Sequence, residues 1–469
     1  MQPKVTIVIV NWNKKDDVLT LLDSVSKVDY DNYQVVVIDN ASTDDSVAAI
    51  RSQPLPVSLI ENKENLGGTG GFNTGLKYAL ETLSQDYIWL LDNDAIVVPT
   101  ALKTLVEVME EDFSIALAGS KILNVLHPEK VVETGAKIHW ASGNVAPLNQ
   151  NCDDSKELNG LYDVDYVAIC SALVRESALR KVGLMDQRYF LLWDDMDWGA
   201  TFKHKGYRVV AVGASTVHHA AFTEKRSMVV DYYYGVRNPL LTMAKHSRGG
   251  ERIKAFLGIM RRALYLGSLF AVTGRWEYAK LPGKAFWDFL TSHWGMFSGS
   301  SPISVVGGNT KVDFRGKSLL VLPLGADAEI FEMVSSIRKE TDNSVALTLL
   351  IPSARQHLFQ RVPVDDVLLV DSTNQNIIGE TISIFFKLYN KSFDFAVAAN
   401  NERITPFSFA VPKTYFFNRA GATWSDLKEG RMNLWKPAFA FLVGELLVWI
   451  LLPFILWKAS QYKNQQENA

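Results

Sequence analysis

Two carboxylates, one residue apart, follow an apolar run near the end of the first hundred residues. Residues 88–91 (Ile-Trp-Leu-Leu) predict a buried strand, and Asp92 and Asp94 come directly after it. In open α/β sheets, ligands bind at the carboxyl ends of the strands. Two carboxylates there can share one divalent cation, which neutralises a bound diphosphate. A solvated Asp-rich turn would have the same sequence, so other residues must decide between the two.

A second acidic group, Asp194, Asp195 and Asp197, lies between two tryptophans. A partly desolvated carboxylate beside an indole ring has a raised pKa, which suits a general base. In a helix, Asp194 and Asp197 share one face while Asp195 points elsewhere. Helix capping is the alternative explanation. His218 and His219 follow, and an imidazole near a carboxylate-rich site is a candidate metal ligand.

Residues 65–75 (Asn-Leu-Gly-Gly-Thr-Gly-Gly-Phe-Asn-Thr-Gly) contain more glycine than packing alone is expected to require. Glycine lets the backbone turn sharply and lets a ligand approach it closely. The helix predicted at 76–83 would offer free N–H groups to an anion. The segment is neither a dinucleotide fingerprint nor a P-loop, because G-K-[ST] is absent. A flexible connector is the alternative.

The elements before this segment alternate between strand and helix. Strands are predicted at 4–10, 33–38 and 57–60, and helices at 16–28 and 46–51. This alternation predicts a parallel sheet with nucleotide-sized crevices at its strand ends. Asp39, which ends the second strand, can accept hydrogen bonds from a base or ribose. It can equally cap the next helix.

The composition places limits on the class of protein. At 469 residues, with 48% hydrophobic and 21% charged residues, two or three folded domains are expected. The net charge of −3 gives no reason to expect nucleic acid. Cys152 and Cys170 are too few for a disulfide framework or a zinc site, which fits a reducing cytosol. The first residues lack signal-peptide features, so the bulk of the protein is expected to be cytoplasmic.

The second half of the chain predicts membrane contact. Residues 245–284 alternate basic and apolar side chains, which is typical of a membrane-surface helix, although a helix packed on the first domain is the alternative. Gly and Ser at 295–308 mark a boundary, and the following segments predict a second, accessory α/β unit. Residues 438–456 are long and apolar enough to cross a bilayer. Glu445 and Pro453 would also suit a buried or re-entrant hairpin.

Taken together, the motifs of residues 1–245 resemble those of family 2 glycosyltransferases with the GT-A fold. The resemblance rests on Asn11-Trp12-Asn13, Asp39-Asn40-Ala41-Ser42, Asn65-Leu66-Gly67-Gly68, Asp92-Asn93-Asp94 and the later acidic cluster. Residues 193–199 (Trp-Asp-Asp-Met-Asp-Trp-Gly) and 232–238 (Tyr-Tyr-Tyr-Gly-Val-Arg-Asn) most resemble bacterial galactofuranosyltransferases. Rhamnosyltransferases share much of this pattern and are the nearest alternative.

The resemblance implies an inverting, single-displacement transfer from a nucleotide sugar. Asn11, Asp39, Asn65, Gly67, Gly68 and Asp92 would bind the donor, and Trp193 and Asp194 would shape the acceptor pocket. Asp92, Asp94 and His218 would hold Mn²⁺ or Mg²⁺ on the diphosphate. Asp195 would deprotonate the acceptor hydroxyl. Asn93 is a departure, because galactofuranosyltransferases often carry a third acid at that position.

We therefore expect an α/β protein in four parts. These are a GT-A catalytic domain (1–245), a basic amphipathic membrane-surface region (246–300), an accessory α/β domain (310–430) and a transmembrane or membrane-inserted helix (435–458). The expected activity is transfer of galactofuranose from UDP-galactofuranose to a polyprenyl-diphosphate-linked glycan, with rhamnose from dTDP-rhamnose as the alternative. The expected location is the cytoplasmic face of the bacterial inner membrane, in contact with lipid. A non-catalytic GT-A scaffold is a further alternative, and the sequence does not indicate the oligomeric state.

Overall fold

The computed structural model describes most of the chain. The described residues are 2–125, 127–219, 227–299, 312–322, 327–352, 362–370, 388, 391, 393–399, 414–418, 423–427 and 435–466. Every residue proposed above for the site is among them. Most of the boundary predicted at 295–308 lies outside them.

The first half of the chain alternates strands and helices. Its strands are β1 (Val5–Asn11), β2 (Tyr33–Asp39), β3 (Val57–Glu61), β4 (Tyr87–Asp92), β5 (Ala95–Val97), β6 (Ile115–Asn124), β7 (Val131–Glu133), β8 (Ala136–His139), β9 (Asn144–Pro147), β10 (Leu161–Asp163), β11 (Ala172–Arg175) and β12 (Arg208–His219). Its helices are α1 (Lys15–Val25), α2 (Ser46–Ser52), α3 (Gly67–Thr82), α4 (Ala101–Glu111), α5 (Glu176–Val182) and α6 (Asp194–His204).

Ten of these strands form one mixed sheet in the order β10-β12-β6-β11-β4-β1-β2-β3, with β5 paired to β12 and β7 to β6, and β8 and β9 form a separate two-stranded sheet. Strands β3, β2, β1 and β4 are parallel, and β11 runs antiparallel between β4 and β6. Asn11 is paired with Asp39, and Asp92 with the residue before Asn11, so three site residues lie side by side at one edge. Strand β12 also pairs with β5, which sets His219 opposite Ala95.

Apolar residues cover both faces of this sheet because neighbouring strand positions point to opposite sides. Ile7, Trp89 and Leu91 pack in the cluster that contains α1 and α4. Val8 and Leu90 pack in the opposite cluster, with side chains of α3, α5 and α6. The α/β class expected from the sequence is therefore confirmed.

Helix α3 begins at Gly67, nine residues earlier than the sequence predicts. Two of its glycines are explained by close packing of the helix on the sheet. A Cβ at Gly71 would lie 2.5 Å from Val10, and one at Gly75 would lie 2.3 Å from Val8. The glycine-rich segment is thus the first turns of a packed helix, and packing accounts for more of it than the sequence suggested.

A helical region follows, with α7 (Gly235–His246) after a π-helical turn (Val230–Tyr234), then α8 (Gly249–Val272) and α9 (Trp276–Thr291). A second sheet contains β13 (Ser318–Leu322), β14 (Ala346–Pro352), β15 (Asp366–Val370), β16 (Phe395–Ala398), β17 (Thr414–Asn418) and β18 (Thr423–Leu427), with α10 (Asp327–Glu340) after β13. Its strand order is β15-β14-β13-β16-β17-β18, and β18 is antiparallel to its neighbour. This is a doubly wound order.

The last helix, α11 (Trp435–Gln466), packs along α8. A Cβ at Gly444 would lie 3.1 Å from Tyr265, and Arg261 pairs with Glu445 at 2.7 Å. Within the described residues, Gly249–Val272 and Ala438–Tyr462 are long and apolar enough to cross a membrane. The first is half buried inside the protein, so length and composition alone are weak evidence for a span.

A buried ionic network joins α6 to α7. Lys245 donates to Asp197 at 2.6 Å and to Asp186 at 2.8 Å, and the Tyr189 hydroxyl donates to Asp197 at 3.0 Å. The His246 ring nitrogen Nε2 lies 2.8 Å from the same carboxylate. Burial alone would raise the pKa of Asp197, but Lys245 and His246 outweigh it and hold this pKa well below its usual range.

We expect the Lys245→Met variant to lose about 3–5 kcal/mol in the free energy of unfolding, because it leaves two carboxylates with a buried partner missing. Chemical denaturation of the full chain would measure the loss. The matched control is Lys280→Met, which removes an exposed pair with Glu277 and should cost less than about 1 kcal/mol. Equal effects of the two variants would contradict the importance of the network.

Candidate active site

Two carboxylates and an imidazole converge at the edge of the first sheet. The ligand atoms of Asp92, Asp94 and His219 all lie within 4.8 Å of one another. His219 Nε2 is 2.9 Å from Asp94 Oδ1 and 3.8 Å from Asp92 Oδ2. Carboxylate oxygens suit Mg²⁺ and Mn²⁺, and imidazole is a common ligand of first-row transition metals. The donor set therefore fits a divalent cation that keeps positions open for a further ligand.

The structure corrects the third ligand predicted from the sequence by one residue. His218, the predicted ligand, does not belong to this cluster, and its neighbour His219 does. Adjacent side chains on a strand point to opposite faces of the sheet, so only one of the two can reach the acids. Burial lowers the pKa of His218, and the charge of Asp154 opposes that shift.

The cluster concentrates negative charge. Burial, and then the charge of Asp94, raise the pKa of Asp92 to about 7. For Asp94 burial acts in the same direction, but the hydrogen bond and charge of His219 outweigh it and lower the pKa. The same partnership raises the pKa of His219 against the effect of its own burial. A cation here would relieve the repulsion between the two acids.

Asn11 connects the strand ends beside the cluster. Its Nδ2 donates to Asp39 and to Ser42, each at 3.3 Å, and its Oδ1 accepts a hydrogen bond from Asn93 at 3.0 Å. Asp39 is fully buried and also accepts the Ser42 N–H at 2.8 Å. Asp39 thus braces the loop after β2, and each of its carboxylate oxygens already has an internal donor. Asn93 has a structural role that an acid could not fill in the same way, because it donates to Asn11.

The start of α3 lies close to the acidic helix. Asn65 Oδ1 accepts the Gly67 N–H at 2.8 Å, which orders the entry to the helix. Gly67 has a φ of +72°, and a Cβ there would lie 2.1 Å from the carbonyl oxygen of Phe190. The Gly68 Cα faces more open space, with a side chain 4.0 Å from its ideal Cβ position. Glycine at 67 is therefore required by close contact with another loop.

Helix α6 begins with the acidic cluster. Trp193 precedes it with a φ of +70°, and Asp194 is buried and accepts a hydrogen bond from the Thr69 hydroxyl at 2.7 Å. Asp195 accepts the Met196 N–H at 2.8 Å. Burial and the charge of Asp194 raise the pKa of Asp195 well above its usual range, and burial likewise raises that of Asp194. Glu133 and Asp92 also raise the pKa of Asp195, so these acids lie close enough to affect one another's ionisation.

The sequence did not indicate two further ionisable residues near these acids, Glu133 and Lys14. Burial raises the pKa of Glu133 to about 7, and its Oε1 is buried without a hydrogen-bond partner among the described residues. The charge of Lys14 lowers the pKa of Asp94, so this ammonium group lies near the acids. Neither residue belongs to a motif. The sequence signal that could have pointed to Lys14 was its position three residues after Asn11.

Comparison with known proteins agrees with this geometry. Residues 6–134 match the profile of Glycosyl transferase family 2. The chain is 25% identical over 255 residues to galactofuranosyltransferase GlfT2 of Mycobacterium tuberculosis, covering 51% of this chain and 39% of that protein. It is 25% identical over 194 residues to GlfT1 of Mycolicibacterium smegmatis, covering 41% and 63%. The chain spans less than two thirds of the length of either relative.

Solved structures align with lower sequence identity. A mannosyltransferase from Pyrobaculum calidifontis, in complex with GDP-Man and Mn²⁺, aligns with a TM-score of 0.40 and 18% identity, covering 64% of this chain and 77% of that one. TarS of S. aureus aligns with a TM-score of 0.41 and 15% identity, covering 61% and 49%.

The assignment rests on three observations. The sequence profile matches, the sheet has β11 antiparallel within an otherwise largely parallel order, and the paired acids lie at the carboxyl end of β4. The profile match and the position of the paired acids agree with the GT-A fold and the transferase class expected from the sequence. Residues 6–134 thus match Glycosyl transferase family 2, and about half of the chain is similar in sequence to galactofuranosyltransferases.

Proposed function

We propose that this protein transfers galactofuranose from UDP-galactofuranose to a polyprenyl-diphosphate-linked glycan at a membrane surface. The observation that carries the proposal is that a cation-type cluster lies near a carboxyl group of raised pKa, and the two would face each other across the substrate cleft. The cluster is Asp92, Asp94 and His219, and the carboxyl group is Asp195. A glycosyl transfer needs both features, because charge accumulates on the leaving diphosphate while a proton leaves the acceptor.

A divalent cation, Mn²⁺ or Mg²⁺, fits the donor set of the cluster. Bound there, it would stabilise the negative charge of the departing nucleoside diphosphate. Asp92, Asp94 and His219 would hold it, and Lys14 is near enough to affect Asp94 and to add positive charge beside the diphosphate. Asn11 and Asp39 are proposed to line the end of this cleft that would hold the nucleoside.

The protein groups on the other side of the cleft would act on the acceptor. Asp195 removes the proton of the acceptor hydroxyl while that oxygen forms a bond to the anomeric carbon. The bond from this carbon to the diphosphate oxygen breaks, and the electron pair leaves with the diphosphate. Asp194, held by Thr69, orients the hydroxyl, and Trp193 lines the acceptor pocket. Attack opposite to the leaving group inverts the anomeric configuration.

The choice of sugar is supported by sequence similarity. Two relatives at 25% identity are named galactofuranosyltransferases. At this identity the donor sugar is a proposal, so dTDP-rhamnose is the comparison donor in the experiment below.

The apolar surface of α11 supports the membrane location. Its exposed ridge consists of Phe439, Leu442, Leu446, Trp449, Ile450, Phe454 and Trp457, which are 49% to 66% exposed. These positions recur at helical spacing and so lie along one face, while the other face packs on α8. Helix α8 is tied to the catalytic domain, because Arg262 donates to Asn144 at 3.0 Å. We therefore favour insertion of the exposed ridge into one leaflet over a complete span.

We expect the Asp94→Ala and His219→Ala variants to lose Mn²⁺ affinity on the order of 100-fold, because each removes a ligand that points into the cluster. Titration followed by the Mn²⁺ EPR signal measures this without any sugar. The matched control is His218→Ala, which should keep the affinity of the unchanged protein. Loss of affinity in His218→Ala, with His219→Ala unaffected, would overturn the ligand assignment.

The donor is tested by Mn²⁺-dependent binding and hydrolysis of UDP-galactofuranose compared with dTDP-rhamnose. We expect the UDP sugar to be preferred and its binding to be lost in Asp94→Ala. Preference for dTDP-rhamnose would overturn the proposed sugar and keep the proposed mechanism. Binding of neither donor would overturn both assignments of the nucleotide sugar.

We expect Asp195→Asn to reduce kcat by about 10²–10⁴-fold while donor binding persists, because only the general base is removed. Full activity of this variant would contradict a catalytic role for Asp195. Its stability gives a second readout. The carboxyl pKa is raised in the folded protein, so the folded state binds more protons than the unfolded state and stability falls as pH rises. In EDTA, Asp195→Asn should therefore melt higher than the unchanged protein at about pH 8, and the gain should shrink towards about pH 4.

We expect the double variant Leu446→Glu, Trp449→Glu to reduce binding to phosphatidylglycerol-containing vesicles about tenfold or more, because it puts charge on the exposed ridge. Vesicle flotation measures the bound fraction. Phe331→Glu is the matched control, since Phe331 is a similarly exposed apolar residue on α10. Equal binding by the double variant and the control would argue against insertion through the ridge.

A further inference from the structure

The turn that leads into the acidic helix has an uncommon backbone conformation. Phe190, Leu192 and Trp193 have φ values of +65°, +64° and +70°. Bulky residues rarely adopt this left-handed region, and such strain persists only where the surroundings fix it. Residues 190–193, called here the strained turn, end directly before Asp194 and Asp195.

The side chain of Asn238, on α7, forms hydrogen bonds to the backbone at the strained turn. Its side-chain Nδ2 donates to the carbonyl oxygens of Tyr189 at 3.1 Å, Leu191 at 2.7 Å and Leu192 at 2.9 Å. The side chain is completely buried. A single amide group therefore contacts the residue just before the turn and two residues within it, and no apolar side chain can replace those contacts.

Arg237, the preceding residue, braces the same segment. Its guanidinium donates to the carbonyl oxygens of Arg188 at 3.2 Å and Tyr189 at 3.0 Å, and also to Gly295 at 3.0 Å. Its other two N–H donors reach the Tyr233 hydroxyl and Asn238 Oδ1, each at 3.0 Å. All five donors of a fully buried cation are thus used on neutral acceptors. Burying a cation in this way is costly, so stability alone is a poor explanation for it.

The strained turn also supports the opposite wall of the cleft. The Phe190 carbonyl oxygen accepts the Thr69 N–H at 3.3 Å and is the atom closest to a Cβ built at Gly67. Thr69 in turn donates to Asp194 at 2.7 Å. The positions of the first turn of α3 and of the start of α6 therefore both depend on residues 190–193.

We propose that Arg237 and Asn238 are positioning residues that lock the strained turn and thereby fix the separation between Asp195 and the start of α3. The proposal rests on the proposed function of Asp195 as the general base. Neither side chain touches the reacting atoms. Their effect passes through the backbone of residues 188–193, and a base displaced by about 1 Å can cost on the order of 10²-fold in rate.

The experiment compares Asn238→Leu with Leu241→Ala in the full chain. Leu241 lies on the same helix and is completely buried in an apolar cluster, so its truncation destabilises α7 without removing the side-chain hydrogen bonds of Arg237 and Asn238 to the turn. Three quantities are measured for each variant: the melting temperature, the hydrogen exchange of amides 189–197, and kcat and KM with Mn²⁺ and UDP-galactofuranose.

At a similar loss of melting temperature, we expect Asn238→Leu to lower kcat by about 10–100-fold and to speed exchange at 189–197. Leu241→Ala should keep kcat within about twofold of the unchanged protein, with exchange in that segment unaltered. Asn238→Ser provides a milder variant if Asn238→Leu does not fold. Equal kcat values for the Asn238 and Leu241 variants, or unchanged exchange at 189–197, would overturn the proposal.

Failure of the proposed function has a different signature. If Asp195→Asn retains kcat, the base assignment fails whatever the Asn238 variants do. If Asp195→Asn is inactive while Asn238 variants behave like Leu241→Ala, the base assignment stands and the positioning role fails. The exchange measurement needs no sugar donor, so it tests the lock even if UDP-galactofuranose is not the substrate.

Discussion

Repulsion among carboxylates is the constraint on which the site depends. Asp92, Asp94, Asp194, Asp195 and Glu133 lie close enough to affect one another's ionisation. Only part of this charge is balanced by His219 and Lys14. Other contacts must therefore hold the acids together. A bound cation and protonation of one carboxyl group would reduce the remaining repulsion.

The scaffold meets this constraint through hydrogen bonds and packing that lie behind the acids. The register of the parallel strands fixes Asn11 beside Asp39, and the antiparallel pairing of β12 with β5 brings His219 to Asp94. On the other side, Lys245 neutralises Asp197 and secures α6. Packing determines the positions of the helices, and buried polar contacts determine where each carboxylate points.

Much of this arrangement follows from local sequence. Strand–helix alternation predicts the sheet, and an apolar run followed by Asp92 and Asp94 predicts the acidic edge. The sequence could not show whether His218 or His219 reaches the acids, because this depends on the register of β12 with β5, which is far away in the chain. The sequence did not predict that α3 begins at Gly67, because glycine disfavours helix. Close packing of α3 on β1 nevertheless requires glycine at 71 and 75. Glu133 was missed because its ionisation is set by tertiary burial.

The cluster at the sheet edge has a consequence for where the domain ends. The segment that matches the family profile stops at residue 134 and so excludes His219 and the whole of α6. Helix α6 is in turn bound to α7, and Arg237 of α7 contacts the carbonyl oxygen of Gly295. The residues that build and support the proposed site therefore extend more than twice as far along the chain as the segment that matches the family profile. A fragment cut at the end of the matched segment would keep Asp92, Asp94 and Glu133 and lose the residues proposed to act on the acceptor.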